Sequence, residues 1–153
     1  MDEILHRHVD DIPVQHKCDH EAYEYYKRAL LPRGQAGCVA ALYEIPPGKA
    51  AYPYHYHMKD EELFYILGGA GTLRTPQGER QVKAGDVLFF PANEHGAHKL
   101  TNTGTEPLIY LDFDIAHDID VCFYPDSGKI GVWGMGINQV YKTDDTVGYF
   151  EGE

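Results

Sequence analysis

Several features that mark common functional classes are scarce in this sequence. Its 153 residues include three cysteines, Cys18, Cys38 and Cys122, and no Cys-x-x-Cys pair. This spacing argues against a zinc ribbon or a thioredoxin-type motif and predicts reduced thiols. No stretch approaches the roughly 18 consecutive apolar residues of a transmembrane helix, and residues 1–11 lack the basic segment and apolar run of a signal peptide. These absences predict a protein of the cytoplasm.

Basic residues are scarce as well. Lysine and arginine total 13 against 24 aspartates and glutamates, which gives a net charge of -11. Nucleic acid and anionic membrane both bind basic protein surfaces, so neither is an expected partner. The Gly128-Lys129 pair lacks the other residues of a P-loop, which argues against nucleotide binding. A small molecule other than a nucleotide is therefore the expected ligand or substrate.

Apolar, aromatic and turn-forming residues are plentiful instead. The chain is 43% hydrophobic and 12% aromatic, with 16 glycines and 9 prolines, a composition typical of short strands joined by turns in one compact domain. The continuous apolar run 87–90 predicts a strand covered on both faces. The predicted fold class is all-β, a sandwich or barrel. Its predicted strands are residues 37–46, 63–67, 72–75, 80–83, 87–90, 98–102 and 108–114.

One segment favours a helix. Residues 19–31 begin with Asp19, a good N-cap residue, and carry Lys27 and Arg28 in the last turn. Pro32 and Gly34 follow and would end the helix. The sequence therefore predicts one short helix near the N-terminus.

A pair of histidines precedes one of the predicted strands. Side chains alternate between the two faces of an extended segment, so His55 and His57 point to the same side. Glu62 follows at the head of the apolar run 63–67, where the returning strand can bring its carboxylate beside the imidazoles. Neutral imidazole nitrogen and carboxylate oxygen suit Fe, Mn, Ni, Cu or Zn. The pattern predicts a site for one divalent transition metal.

Glu61 competes with Glu62 for the carboxylate position. Each precedes one of two consecutive glycines by the same interval. Glu62 shares a strand face with Phe64 and Ile66, which would place two apolar side chains behind the metal as pocket lining. The alternation of side chains along the strand therefore favours Glu62 as the carboxylate ligand, and Glu61 remains the alternative.

Two motifs in this order resemble those of the cupin superfamily. The first motif consists of Gly48, His55, His57, Glu62 and Gly69, with one residue more than usual before His55. The second motif consists of Gly85, Pro91, His98 and Asn102, with two residues more than usual before His98 and with Asn93 in place of a glycine. Beyond the motifs, the chain is similar over most of its length to small single-domain bacterial cupins.

The resemblance implies a fold and a third imidazole ligand. The expected fold is a double-stranded β-helix, or jelly-roll barrel, over residues 37–153. Residues 1–36 would form an N-terminal extension that packs on the barrel and includes the predicted helix. His98 would join His55 and His57 at the metal, and Leu100, on the same face as His98, would line the pocket.

The resemblance also bears on function. Three imidazoles and one carboxylate fill four positions of an octahedron and leave two for water, dioxygen or substrate. This implies a mononuclear metal-dependent enzyme, of dioxygenase or decarboxylase type, acting on a small metabolite in the barrel pocket. A non-catalytic binding protein with a storage or sensor role is the alternative.

The loop before His98 supplies two candidate catalytic residues. Glu94 and His95 lie in its additional length, where a general acid or base could reach a substrate at the metal. A solvated surface loop is the other interpretation of these two residues.

Tyr52, Tyr54 and Tyr56 are expected on the face opposite the histidines. They would pack beneath the N-terminal segment or between two copies of the chain. Because small cupins commonly pair through outer sheet faces, the resemblance implies a homodimer.

Overall fold

Short antiparallel strands account for most of the chain. The computed structural model describes residues 4–153, and its helical structure within that range is limited to two 3₁₀ turns, Val9–Asp11 and Glu94–Gly96. Neither turn is long and apolar enough to cross a membrane. The strands are β1 (Gln15–His20), β2 (Tyr23–Leu31), β3 (Cys38–Ile45), β4 (Tyr56–His57), β5 (Glu61–Gly68), β6 (Ala70–Thr75), β7 (Gly78–Lys83), β8 (Val87–Phe90), β9 (Lys99–Thr101), β10 (Leu108–Ile115), β11 (Ile119–Tyr124), β12 (Lys129–Gly134) and β13 (Ile137–Lys142).

The strands are arranged in three sheets. The largest has the order β1-β2-β3-β10-β5-β8, the second the order β13-β12-β11-β4, and the third the order β7-β6-β9. Strands from distant parts of the chain are therefore neighbours, as β10 is between β3 and β5. Each predicted strand overlaps an observed one, and the all-β jelly-roll prediction is confirmed.

The core lies between the inward faces of the sheets. Residues along β3 alternate between buried and more exposed positions, as expected for a strand that contributes one face to a core. Apolar and tyrosine side chains from β3, β5, β6, β7, β9 and β10 meet there. They include Ala41, Tyr43, Ile45, Phe64, Ile66, Leu73, Val82, Leu100, Leu108 and Tyr110.

The predicted helix at residues 19–31 is wrong. Its residues belong to the hairpin of β1 and β2, and the Nδ1 atom of His20 accepts a hydrogen bond from the backbone N–H of Ala22 in the connecting turn (3.0 Å). β2 pairs along its length with β3, and this pairing outweighs the weak local capping signals. β1 and β2 thus extend the sheet that contains β3. The division of the chain at residue 36 stays a prediction, and residues 1–3 of the predicted extension lie outside the described residues.

The strand at residues 87–90 is not covered on both faces as predicted. β8 is the edge strand of its sheet, and Val87 and Phe89 are 61% and 57% exposed. The apolar run reflects an outer face that the described chain leaves uncovered. We call it the outer apolar face, and it consists of Leu63, Tyr65, Leu67, Val87, Phe89, Phe113 and Ile115.

Candidate metal centre

Backbone pairing brings the third histidine to the first two. The backbone N–H of His98 donates to the carbonyl oxygen of His55 (2.9 Å), and the N–H of His55 donates to the carbonyl of His98 (3.1 Å). The rings of these two residues lie 4.8 Å apart, and the ring of His57 lies 5.1 Å from that of His55. The structure therefore brings together the three predicted imidazoles.

Glu62 completes the group. One carboxylate oxygen, Oε2, lies 3.5 Å from Nε2 of His57 and 3.4 Å from Nε2 of His98, beyond the usual range of a hydrogen bond. Glu62 is 7% exposed, and within residues 4–153 its Oε2 has no hydrogen-bond partner. Glu61 is less buried, on the opposite face of β5. A buried carboxylate oxygen without a partner, facing imidazole nitrogens, is the arrangement that a bound cation would satisfy.

Two histidines are oriented by backbone carbonyls. Nδ1 of His55 donates to the carbonyl oxygen of Pro53 (2.8 Å), and Nδ1 of His98 donates to that of Gly96 (2.9 Å). Because a carbonyl can only accept, each Nδ1 carries the hydrogen and each Nε2 keeps its lone pair. Such outer partners commonly fix the tautomer of a metal-ligating histidine.

Asp120 orients the ring of His57. Its Oδ2 accepts from Nδ1 of His57 (2.6 Å), and its Oδ1 accepts from the backbone N–H of Lys59 (2.8 Å). The sulfur of Cys122 lies 3.1 Å from the same Nδ1. Burial opposes protonation of His57, but the hydrogen bond to Asp120 outweighs it and raises the pKa of His57. The sequence analysis missed Asp120, because a residue 63 positions from His57 leaves no local signal.

The charge states of the other ligands suit a metal. Burial, aided by repulsion from His98, lowers the pKa of His55 to about 4, and burial lowers that of His98. Burial raises the pKa of Glu62, but the neighbouring imidazoles, His98 first, outweigh it and bring the pKa to about 2. At neutral pH His55 and His98 are therefore neutral and Glu62 is ionised, whereas His57, whose pKa is raised, would release a proton on binding a metal. These donors fit a divalent transition metal such as Fe, Mn, Ni, Cu or Zn.

Three of the four candidate ligands, His55, His57 and Glu62, line a cavity of about 450 Å³, in the range of small-molecule sites. The predicted lining residues Phe64, Ile66 and Leu100 are not on its walls. They belong to the hydrophobic core behind the imidazoles, and the ring of Phe64 is 5.6 Å from that of His98. Other apolar side chains, such as Val39 and Trp133, line the cavity together with polar groups, among them Lys27, Arg33, Tyr43, Tyr52, Asp112 and Asp114.

Tyrosine hydroxyls form part of this wall. The hydroxyl groups of Tyr43 and Tyr52 lie 2.8 Å apart, so Tyr52 faces the cavity and not the outer face on which it was predicted. Tyr54 is buried beneath the guanidinium of Arg74, and Tyr56 stacks on the ring of Phe123. The three tyrosines therefore have three separate environments, because the segment before β4 is not a regular strand.

A pair of acidic residues in the cavity was also missed. Asp112 and Asp114 point inward from β10, and Asp114 lies directly across the strand pair from Glu62. Burial, and next the charge of Asp114, raise the pKa of Asp112 well above its usual range. Burial, and next the charge of Glu62, raise the pKa of Asp114 to about 6. The sequence carried a signal: both residues share a strand face with the apolar Leu108 and Tyr110.

Glu94 and His95 lie outside the cavity. Both are exposed, in the 3₁₀ turn Glu94–Gly96. Gly96 touches the backbone of Pro91 at a distance that leaves no room for a Cβ atom, so the additional residues of the loop fold into a compact turn. The geometry places neither side chain where it could act on a substrate at the imidazoles.

Comparisons with known proteins agree with this geometry. A family model described as "Cupin domain" matches residues 41–114. The glucose-6-phosphate isomerase of Thermococcus gammatolerans is 36% identical over 47% of this chain and 45% of that protein. The oxalate-binding protein of Thermotoga maritima is 35% identical over 46% of this chain and 56% of that protein. The chain thus spans about half the length of these curated relatives.

A solved structure covers more of the chain. A protein of Acidithiobacillus ferrooxidans, provisionally described as a sugar phosphate isomerase, has a TM-score of 0.80 at 28% identity, over 92% of this chain and 91% of that one. The matched family segment contains the four candidate ligands, and the likeness extends through the surrounding barrel. The chain belongs to the cupin superfamily.

Proposed function

We propose that this protein is a metal-dependent isomerase of a phosphorylated sugar, which interconverts an aldose and a ketose in the cavity. The observation that carries the proposal is the composition of that cavity. His55, His57 and Glu62 line part of it, and its other lining residues include two cations, three tyrosines, two aspartates and several apolar side chains. A carbonyl compound with hydroxyl groups and an anionic end would match each of these surfaces.

The metal ligands in this proposal are His55, His57, Glu62 and His98. Nε2 of His57 and Nε2 of His98 face the partnerless Oε2 of Glu62, ligand atoms of His55, Glu62 and His98 lie within 4.8 Å of one another, and the three Nδ1 atoms are held from outside. A divalent metal bound there supplies a Lewis acid that polarises a substrate carbonyl. Four protein ligands leave two octahedral positions, enough for a carbonyl and a neighbouring hydroxyl oxygen.

The cations are placed to bind a phosphate. The guanidinium of Arg33 donates to Asp60 and to the carbonyl oxygen of His117, which fixes its position and leaves other N–H groups free for an anion. Lys27 lies on the same side of the cavity, and burial lowers its pKa. A phosphate would replace the lost hydration of both cations with charge-assisted hydrogen bonds.

The names of the relatives support the same substrate class. One curated relative is a glucose-6-phosphate isomerase, and the solved relative is provisionally described as a sugar phosphate isomerase. Neither relative's activity applies to this chain without a direct assay.

Decarboxylation is the second candidate, because the oxalate-binding relative is also similar and decarboxylases belong to the class that the sequence analysis favoured. The cavity argues against a small dicarboxylate as substrate. Its volume of about 450 Å³ far exceeds such a molecule. A dioxygenase, or a storage or sensor protein without catalysis, would be revealed by the same experiment.

The experiment combines metal analysis with a turnover assay. Protein purified without an affinity tag is analysed by elemental mass spectrometry, and fructose 6-phosphate is followed by NMR for conversion to an aldose phosphate. The His57→Ala variant should lose both metal and conversion, whereas His95→Ala, an exposed histidine outside the cavity, should keep both. Metal without conversion of any hexose or pentose phosphate would refute the isomerase. Oxygen consumption or release of carbon dioxide would identify the competing reactions.

A further inference from the structure

The acidic pair Asp112 and Asp114 has no structural explanation in the core. Asp112 is 6% exposed. Within the described part of the chain, one carboxyl oxygen of each residue, Oδ1, lacks a hydrogen-bond partner. Buried polar atoms are normally paired, and a carboxyl group without a partner costs stability. Two such residues on the inward face of one strand therefore point to a role outside folding.

The position of the pair relates it to the metal ligands. Asp114 is opposite Glu62 across β10 and β5, and Asp112 is opposite Phe64, one inward position further along. Oxygen atoms of Glu62, Asp112 and Asp114 all lie within 4.8 Å of one another. On β3, the residue opposite Asp112 is Ala41, whose short side chain leaves space on the cavity side. A substrate at the metal ligands would therefore lie against the two carboxyl groups.

An aldose–ketose conversion requires two kinds of proton transfer. One hydrogen leaves the carbon next to the carbonyl and returns to the former carbonyl carbon. A second hydrogen leaves the hydroxyl group on the neighbouring carbon, and the carbonyl oxygen gains a hydrogen. A pair of carboxyl groups can serve both transfers when one is ionised and the other protonated, the state that close carboxyls favour.

We propose that Asp114 and Asp112 are the acid–base pair of this site, an assignment that rests on the proposed isomerase function. Asp114, nearer the metal ligands, takes the proton from carbon. The C–H electron pair then forms the C=C bond of an enediol, and the π electrons of the carbonyl move to its oxygen. Asp112 gives its proton to that oxygen and receives the proton of the neighbouring hydroxyl as the new carbonyl forms. Asp114 returns its proton to the former carbonyl carbon, so both groups end as they began and no oxidant is needed.

The test uses isosteric neutral variants of the metal-loaded protein. Asp114→Asn and Asp112→Asn are compared with wild type in D₂O, with fructose 6-phosphate as the probe. NMR records both conversion and deuterium bound to carbon, and elemental mass spectrometry records the metal. The matched control is Glu44→Gln, which removes an exposed carboxylate on the neighbouring strand β3.

The wild type should incorporate deuterium as it converts the probe. Asp114→Asn should lose about 10²-fold or more of both rates, with metal content and the circular dichroism spectrum unchanged, and Asp112→Asn should lose conversion. Conversion without deuterium in the wild type, at a rate that Asp114→Asn retains, would mean that the hydrogen moves directly between carbons, which overturns the acid–base pair and leaves the isomerase intact. Wild-type rates of conversion and labelling in both aspartate variants would likewise overturn the acid–base pair and leave the isomerase intact. A metal-loaded wild type that neither converts nor labels fructose 6-phosphate or any other hexose or pentose phosphate would overturn the proposed function, and this assignment with it.

Discussion

The replacement Asp120→Asn tests how the protein prepares His57 for a metal. The two shortest hydrogen bonds that Asp120 accepts come from Nδ1 of His57 (2.6 Å) and from the backbone N–H of Lys59 (2.8 Å). Asparagine has one oxygen and one NH₂ group in the same space. If the asparagine oxygen still accepts the hydrogen bond from the backbone N–H of Lys59, its NH₂ group faces Nδ1 of His57. An NH₂ group can only donate there, so it favours the tautomer of His57 with the hydrogen on Nε2. That tautomer has no lone pair on Nε2, the nitrogen that faces Glu62.

The expected loss is about 10- to 100-fold in metal affinity, which corresponds to about 1.4–2.7 kcal/mol. Competition with a chromophoric chelator measures it, with Zn²⁺ as the probe. The matched control is Asp126→Asn, which changes an exposed aspartate that pairs with Arg74 away from the cavity. Unchanged Zn²⁺ affinity in Asp120→Asn, with circular dichroism and melting temperature like those of the control, would refute the reasoning about the tautomer.

Two further predictions concern the pH dependence of stability and self-association. The folded-state pKa of Asp114, about 6, is above the ordinary value of 3.8, so ionisation of Asp114 destabilises the metal-free fold as pH rises through that window. Asp114→Asn should therefore melt at a higher temperature than wild type above pH 6, and the gain should vanish below pH 3.8; an equal gain at every pH would contradict this origin. We also expect two copies to pair through the outer apolar face, because Phe89 and Val87 are more than half exposed at an edge strand. Phe89→Glu should then be monomeric by light scattering at micromolar concentration, whereas Val147→Glu, in the exposed C-terminal segment, should remain dimeric; a monomeric wild type would exclude the pairing.

Three of the four residues at the candidate metal centre could be found from spacing. His55 and His57 are two positions apart, and Glu62 opens the next strand, so alternation along the chain indicates their common side. His98 came from the resemblance and not from the residues around it. Its arrival beside His55 depends on backbone hydrogen bonds between segments more than forty residues apart.

Local signals failed where long-range contacts compete with them. Residues 19–31 carry helix-capping residues, but pairing with β3 makes them a strand. The apolar run 87–90 predicts burial on both faces, yet the position of β8 at the sheet edge exposes one of them. Glu94 and His95 are near His98 in sequence, and a compact turn directs both to solvent.

The sequence by itself determined the fold class and the donor set, because strand alternation and turn residues act over a few positions. Tertiary structure decided which polar groups surround those donors. Asp120 meets His57, and Asp112 and Asp114 meet Glu62, only after distant strands have paired. Such contacts leave no periodic trace in the chain, because they depend on which strands are neighbours and on their register. The cavity and its proposed acid–base pair are therefore properties of the assembled barrel, not of any one segment.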